Sequence, residues 1–240
     1  MTEPPHREAV ASLSVLMPVF NERATIQEAT EQVRAVDLPI DREVIIVDDG
    51  STDGTRQWLT EQEWPDDIRV VLHERNRGKG AAVRTGIASA TGTYTTILDA
   101  DLEYNPEDLP ALLAPILQGD AEVVYGVRGF QAHSAYSFWY VVGNKVVTFA
   151  TNVLYNAWLS DIMTCQKLLS TRLFGSLNLR EDGFAIEAEI TARLLTRKER
   201  IYEVPIAYRA RTREEGKKLT TLDGLRVLKT IARCRIDGRR

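Results

Sequence analysis

The 240-residue sequence predicts a single α/β domain in which a mostly parallel central sheet is flanked by helices. Apolar runs alternate with helical patterns through the first half of the chain, in the order β-α-β-α-β-α-β. The strands read as continuous apolar runs, such as "VIIV" at 44–47, which is typical of strands buried on both faces of a parallel sheet. No linker or internal repeat divides the chain, so we expect residues 1–240 to form one domain.

The first half supplies four strands and three helices. Strand residues stand in short apolar blocks, whereas the apolar residues of the helices recur every three or four positions. The predicted strands are 12–19, 42–49, 68–74 and 94–100, and the predicted helices are 22–36, 52–62 and 79–90. Such a sheet binds ligands outside the carboxyl ends of its strands, where the acids of "VDDG" and "LDAD" both fall.

The second half is less regular. Predicted helices cover 107–117, 138–158, 184–197 and 220–236, predicted strands cover 122–128 and 201–208, and residues 160–170 show no clear period. We expect a flexible N-terminus at 1–11, two halves at 12–104 and 105–218, and a basic amphipathic C-terminal helix at 219–240.

The net charge of −4 hides an uneven distribution. Residues 190–240 hold 15 Lys and Arg against 6 Asp and Glu, so the C-terminal part is basic and the rest is acidic. A basic end favours an anionic partner such as phosphates or a membrane surface. The sequence carries no nucleic-acid-binding motif, so nucleic acid is not an expected partner. The two cysteines, Cys165 and Cys234, match no disulfide or metal spacing, which fits a cytoplasmic protein.

Three acids, Asp99, Asp101 and Glu103, follow the apolar run "TTIL" at alternate positions. If the strand continues through them, their side chains project on one face. Converging carboxylates repel one another unless a cation neutralises them, and Mg²⁺ or Mn²⁺ prefers oxygen ligands together with substrate phosphates. The later acids, Glu107 and Asp108, are explained by a helix start after Pro106.

Other polar clusters also follow strands. Asp48 and Asp49 are candidates to bind a ribose hydroxyl or a base, while Ser51, Thr52 and Asp53 cap the next helix. "NRGKG" at 76–80 opens a helix with Gly78, Lys79 and Gly80, and glycines there allow backbone amides to approach a phosphate. The chain lacks both a Walker A loop and a G-x-G-x-x-G fingerprint, which disfavours an NTPase and a dinucleotide-dependent dehydrogenase.

The motifs "PVFNER", "VDDGSTDGT", "NRGKGAAVRTG" and "LDADLEYNPEDL", in this order, resemble the inverting family 2 glycosyltransferases of the GT-A fold. Further stretches, including "EVVYGVR", "LSDIMTCQKLLS", "FAIEAEITARLL" and "IYEVPIAYRAR", are similar to the branch that includes dolichyl-phosphate mannosyltransferase and its bacterial relatives. The resemblance covers about residues 12–230 and implies that 12–104 is a nucleotide-sugar-binding half and 105–218 an acceptor half. It implies transfer of a sugar from GDP-mannose or a UDP-hexose to a polyprenyl monophosphate, with Mg²⁺ or Mn²⁺ as cofactor.

The resemblance also implies residue roles. Asp101, Asp161 and Arg128 are the expected catalytic residues, and Asp99, Asp101 and Glu103 the expected metal site. The expected nucleotide-sugar site contains Pro18, Phe20, Glu22, Asp48, Asp49, Lys79, Asp99 and Arg209. The expected acceptor-phosphate site contains Arg128, Arg211, Lys217 and Lys218, the last three in a basic loop that closes over the phosphates.

Two alternatives stay open. A monophosphate acceptor is already an anion and needs no general base, whereas a small soluble hydroxyl acceptor would need one, with Asp161 or Asp182 as candidates. The C-terminal helix either lies on anionic lipid or packs its apolar residues on the domain, and helix 138–158 is a core helix, an interface helix or a dimer contact. Where many relatives append transmembrane helices this chain stops, so we expect peripheral membrane contact, with a homodimer as a further candidate assembly.

Overall fold

The computed structural model describes residues 11–129, 138–210 and 221–238, and side chains from residue 224 in the last of these. Within them one sheet is surrounded by helices, as predicted. The strands are β1 (Ser12–Val19), β2 (Asp41–Asp48), β3 (Ile68–Leu72), β4 (Tyr94–Ile97), β5 (Val123–Arg128), β6 (Lys167–Ser170) and β7 (Ile201–Ile206).

Seven of the described helices agree with the sequence prediction in order and differ mainly at their ends, whereas a short helix at Thr171–Ser176 is not predicted. The helices are α1 (Ile26–Ala35), α2 (Thr55–Glu61), α3 (Lys79–Ser89), α4 (Leu109–Leu117), α5 (Phe138–Tyr155), α6 (Thr171–Ser176), α7 (Ile186–Thr196) and α8 (Thr221–Asp237). A 3₁₀ turn at Pro106–Asp108 leads into α4. Asn105 caps this turn, and its side chain accepts a hydrogen bond from the Glu107 amide at 3.1 Å. The helix start expected there is therefore confirmed.

The strand order is β3-β2-β1-β4-β6-β5-β7. β1 pairs with β2 and β4 in parallel, and β2 pairs with β3 in parallel, which confirms the alternating pattern of the first half. β6 is antiparallel to both of its neighbours, with Leu169 opposite Thr95 and Val123. No strand is predicted here, because residues 160–170 mix polar and apolar residues without a clear period.

Apolar residues from both faces of the sheet form the main core, and a second cluster joins α5, α7 and α8 to it. Val147, Ile162, Ala188 and Ile231 belong to this second cluster, and each is at most 7% exposed. Ile231 is fully buried and Val227 is 2% exposed, so one apolar face of α8 packs on the domain, whereas Leu225 and Ile236 are 65% and 59% exposed. Within the described part of the chain, no helix has the length and apolar character needed to cross a bilayer.

Candidate active site

Three loops meet at the edge of the sheet where β1, β2 and β4 end. Val19 lies beside Asp48 in the register of β1 and β2, and the Leu98 amide donates to the Leu16 carbonyl at 2.9 Å. The loops that follow β1, β2 and β4 therefore begin at the same level of the sheet. The acids that follow β2 and β4 thus lie along one edge of the sheet, as the sequence predicts.

The acidic segment after β4 is a turn, which corrects the expectation of a continuing strand. β4 ends at Ile97, Leu102 has a φ of 60°, and the Glu103 amide donates to the Asp101 carboxylate at 3.1 Å. A left-handed residue breaks the alternation that an extended strand would impose. The three acids therefore do not share a strand face.

Asp99 is paired with Lys79, the first residue of α3. The Lys79 ammonium lies 2.7 Å from Asp99 Oδ2 and 3.2 Å from Glu187 Oε1. Glu187 in turn accepts from the Lys167 ammonium at 2.6 Å. Burial acts to lower the pKa of Lys79, but the charges of Asp99 and Glu187 outweigh it and hold that pKa well above its usual value. The two carboxylates of Asp99 and Glu187 thus form one network with the two lysines, beside the end of β4.

The acidic turn matches the ligand chemistry of a hard divalent cation. Its donors are carboxylate oxygens, which Mg²⁺ and Mn²⁺ prefer, but within residues 11–129, 138–210 and 224–238 no three His, Cys, Asp or Glu residues are grouped closely enough to hold a metal alone. One or two carboxylates with a bound diphosphate suffice for Mg²⁺. Lys79 contacts Glu187 as well as Asp99, so it keeps a counter-ion when Asp99 binds a metal. The residues present fit a metal completed by the substrate.

Asp48 and Asp49 are both buried and both bind donors of the chain itself. Asp48 accepts from Arg56 Nε at 2.7 Å and from the Ser51 amide at 3.2 Å. Asp49 accepts from the Gly78 amide at 2.7 Å and lies 2.7 Å from His73 Nδ1. These contacts tie the end of β2 to α2 and to the segment between β3 and α3, and a role toward the nucleoside stays a prediction.

The loop after β1 is fastened to the loop after β2. Asn21 has a φ of 54°, and its side chain accepts from the Thr52 amide at 2.8 Å. The Glu22 amide donates to Thr55 Oγ1 at 3.1 Å. Pro18, Phe20 and Glu22 are each partly exposed. They lie beside the loop that follows β2, and their roles toward a base and ribose stay predictions.

The start of α3 is closed by protein, which corrects the expectation of a backbone phosphate cradle. The Gly80 and Ala81 amides donate to the Asp182 carbonyl at 2.7 and 3.2 Å, and the Gly78 amide donates to Asp49. A Cβ at Gly78 or Gly80 would overlap the backbone of residues 181–182. The glycines are needed for this close approach of two chain segments.

Arg128 and Asp161 form a buried, two-pronged ion pair. Arg128 Nε lies 2.6 Å from Asp161 Oδ2 and Nη2 lies 3.0 Å from Oδ1, with side-chain exposures of 2% and 0%. Asn144 Nδ2 and the Met163 amide also donate to Asp161 Oδ1, at 3.1 and 3.0 Å. Burial acts to raise the pKa of Asp161, but the charge and hydrogen bonds of Arg128 outweigh it and hold that pKa below its usual value.

Tyr208 connects this ion pair to the acidic turn. Its hydroxyl donates to Glu103 Oε2 at 2.6 Å, and its ring lies 4.9 Å from the Arg128 guanidinium carbon. The Arg209 amide donates to the Glu103 carbonyl at 2.8 Å, and Arg209 itself is exposed. Arg128, Asp161, Glu103 and Arg209 are thus brought together, whereas Arg211, Lys217 and Lys218 lie outside the described residues.

Several polar residues at this site are not singled out by sequence reasoning. Tyr140 accepts a hydrogen bond from Arg128 Nη1 at 3.0 Å, and Asn144 and Tyr208 contact the same ion pair. Lys167 and Glu187 lie in stretches that the family resemblance covers, but spacing assigns them no role. Asp182 pairs with Arg84 at 2.5 Å and is 67% exposed, so it stands apart from the buried Arg128–Asp161 pair.

Comparison with known proteins agrees with this geometry. The chain is 30% identical over 208 residues to the low-salt glycan biosynthesis hexosyltransferase Agl6 of Haloferax volcanii, covering 85% of this chain and 49% of that protein. It is 34% identical over 122 residues to the dodecaprenyl-phosphate galacturonate synthase of Rhizobium johnstonii, covering 48% and 36% of the two chains. The chain therefore spans about half or less of the length of the curated relatives it matches.

A solved structure shares the fold. Glucosyl-3-phosphoglycerate synthase from Mycobacterium tuberculosis, in complex with Mn²⁺, UDP and glucosyl-3-phosphoglycerate, superposes with a TM-score of 0.70 at 21% identity, covering 93% of this chain and 80% of that one. The mixed seven-stranded sheet is thus a GT-A fold. The family profile described as "Glycosyl transferase family 2" matches residues 14–177, which is more than half of the chain. The chain belongs to glycosyl transferase family 2.

Proposed function

We propose that this chain is an inverting glycosyltransferase that moves a sugar from a nucleotide-diphosphate sugar to a polyprenyl monophosphate. Family membership supports the reaction class, and the relative named dodecaprenyl-phosphate galacturonate synthase supports the acceptor class. GDP-mannose and UDP-hexoses are the proposed donors. The reaction would take place at the cytoplasmic face of a membrane, with the protein bound peripherally.

The observation that carries this proposal is the adjacency of an acidic turn and a buried arginine. Tyr208 contacts both, through its hydroxyl at Glu103 and its ring at Arg128. The reaction needs two groups at the anomeric carbon of the sugar. One is the departing diphosphate, held with a cation, and the other is the anionic acceptor. Carboxylates on one side and a guanidinium on the other supply complementary charges for these two groups.

On the donor side, Pro18, Phe20 and Glu22 would contact the nucleoside beside the loop that Asp48 and Asp49 fix. Lys79 and Arg209 would approach the diphosphate, since Lys79 already lies at the Asp99 carboxylate. Asp99, Asp101 and Glu103 are the candidates for the one or two carboxylates that would hold Mg²⁺ or Mn²⁺ beside the diphosphate. The metal supplies charge neutralisation of the departing diphosphate when bound. The structural neighbour was crystallised with Mn²⁺, which supports a divalent cofactor without selecting between the two ions.

On the acceptor side, Arg128 would attract the monophosphate, joined by Arg211, Lys217 and Lys218 from the basic segment. Asp161 orients the guanidinium through two hydrogen bonds. Because that carboxylate is engaged by three donor groups and its pKa is held low, it is a poor proton acceptor. This favours an acceptor that needs no deprotonation over the alternative, a small soluble hydroxyl acceptor with an Asp general base.

A turnover assay tests the proposal. The protein would be incubated with a panel of GDP- and UDP-sugars, an undecaprenyl monophosphate in vesicles, and Mg²⁺, Mn²⁺ or EDTA, and sugar would be scored in the organic phase. We expect metal-dependent transfer from one donor, reduced on the order of a hundredfold or more in Asp101→Ala. Transfer only to water-soluble acceptors would contradict the proposal.

A further inference from the structure

Helix α5 has an inverted distribution of polarity. Its buried face carries Asn144, Thr148 and Thr151 beside Val147, all at most 7% exposed. Its opposite side, here called the outer face, carries Trp139, Val146, Phe149 and Val153, which are 77%, 52%, 70% and 65% exposed. The spacing of seven, three and four residues places these four side chains on one stripe.

The buried face is polar because it serves the site. Asn144 donates to Asp161, Tyr140 accepts from Arg128, and Thr148 Oγ1 donates to Asn144 Oδ1 at 3.2 Å. Packing on the domain therefore does not explain the outer face. Four large apolar side chains in a continuous stripe on the surface mark an interaction site rather than scattered exposure.

We infer that the outer face of α5 docks on an anionic lipid bilayer. This inference rests on the proposed function for the identity of the partner, since a polyprenyl phosphate acceptor is dissolved in a bilayer. A helix with its side chains is about 10–12 Å across, so a bilayer beneath the outer face would lie about one helix diameter from the Arg128–Asp161 pair. The same helix thus presents the site on one side and the membrane contact on the other.

Charge on this side of the molecule fits anionic lipid. Residues 138–159 contain one charged residue, Lys145, and no acid, and Lys145 is exposed. The neighbouring helix α8, which packs against α5, has Arg226 and Lys229 exposed. Its Arg233 is paired with Glu181 and Glu189 and does not add to the exposed charge. An apolar stripe on a helix that itself carries no acid, next to exposed basic residues, is the pattern of an interfacial helix.

The test is vesicle co-sedimentation without donor or acceptor. Wild type would be compared with Phe149→Gln/Val153→Gln, which removes two outer-face side chains with a residue of good helix propensity. The matched control is Leu72→Gln/Leu117→Gln, which removes two apolar side chains that are 42% and 40% exposed on other elements. Circular dichroism melting would verify that both variants are folded.

We expect wild type and control to bind phosphatidylglycerol-containing vesicles with the same affinity. The affinity of the α5 variant should be lower by a factor of about ten or more. Binding to pure phosphatidylcholine should be weaker than to anionic vesicles. Equal binding of all three proteins would overturn the inference. So would a wild-type dimer, seen by light scattering, that the α5 variant converts to monomers, because a second copy would then be the partner.

The outcome is separable from that of the proposed function. If wild type binds vesicles through α5 but transfers no sugar to a lipid, the docking surface stands and the proposed reaction fails. If wild type transfers sugar to a lipid while the α5 variant binds vesicles as well as wild type does, the proposed reaction stands and this inference fails.

Discussion

At the scale of single residues, the Arg128–Asp161 pair has a large energetic consequence. Two charges buried at 2% and 0% exposure are tolerated because each hydrogen-bonds the other in fork geometry and Asn144 and the Met163 amide satisfy Asp161 further. A buried pair of this kind adds little net stability over apolar residues, but removing one member leaves the other unpaired.

Asp161→Asn should therefore reduce the free energy of unfolding by about 3–5 kcal/mol at pH 7, because it leaves the Arg128 charge buried without a counter-ion. Asp182→Asn is the matched control, since Asp182 also pairs with an arginine but is 67% exposed, and its loss should stay within about 1 kcal/mol. Urea unfolding monitored by fluorescence measures both. Equal effects of the two substitutions would contradict the structural role given to the pair.

The same variant has a defined pH dependence. The folded-state pKa of Asp161 is lowered, so the unfolded state takes up its proton first as the pH falls. The stabilisation from ionised Asp161 is complete above the unfolded pKa of about 4 and is lost as the pH falls through the folded value. The stability difference between wild type and Asp161→Asn should be constant from pH 5 to 7 and shrink below about pH 4.

At the scale of elements, Glu187 on α7 joins α3 to β6. It lies between Lys79 and Lys167, and the Lys167 side chain is fully buried. Burial holds the pKa of Lys167 below its usual value despite the opposing charge of Glu187. The placement of α7 against the sheet therefore depends on this carboxylate.

Glu187→Gln should cost about 3–5 kcal/mol because it leaves buried Lys167 without a counter-ion, and adding Lys167→Met should recover much of that loss. Burial alone would push the pKa of Lys167 lower still in the single variant, so its deficit should shrink as the pH rises toward about 10. A double-mutant cycle in urea measures the coupling. Additive losses would show that the two residues are independent.

The contact between α3 and residues 181–182 makes a second prediction at this scale. Gly80→Ala should destabilise the protein by about 1–3 kcal/mol, because the new Cβ would overlap the Glu181 carbonyl. Gly175→Ala, in α6, meets nothing within 4 Å and should stabilise by about 0.5–1 kcal/mol. Thermal melting of the two variants is the measurement, and shifts of the same sign would contradict this packing.

At the scale of the whole molecule, the second cluster fixes α5, α7 and α8 to the sheet. Ile231 is fully buried in it, whereas Leu225 on the same helix is 65% exposed. Ile231→Ala should therefore cost about 2–5 kcal/mol and Leu225→Ala less than about 0.5 kcal/mol. Denaturant unfolding measures both losses as shifts of the midpoint at an unchanged slope. A large loss for Leu225→Ala instead would mean that the opposite face of α8 is the buried one.

The sequence alone determined the order of elements, the parallel first half and the positions of the acids at strand ends. These features follow from local periodicity and from which residues come after each apolar run, and both are written in consecutive residues. The family resemblance rested on the same local motifs, and the profile match over residues 14–177 confirmed it.

Only the tertiary structure decided which charges pair, which amides are occupied and which helix faces are covered. Arg128 and Asp161 lie 33 residues apart in the sequence. Lys79 on α3 contacts Asp99 after β4 and Glu187 on α7. Periodicity cannot report such contacts because it describes a residue's neighbours along the chain and not across it. The exposed apolar stripe of α5 is likewise visible only once the polar face of that helix is seen to be the buried one.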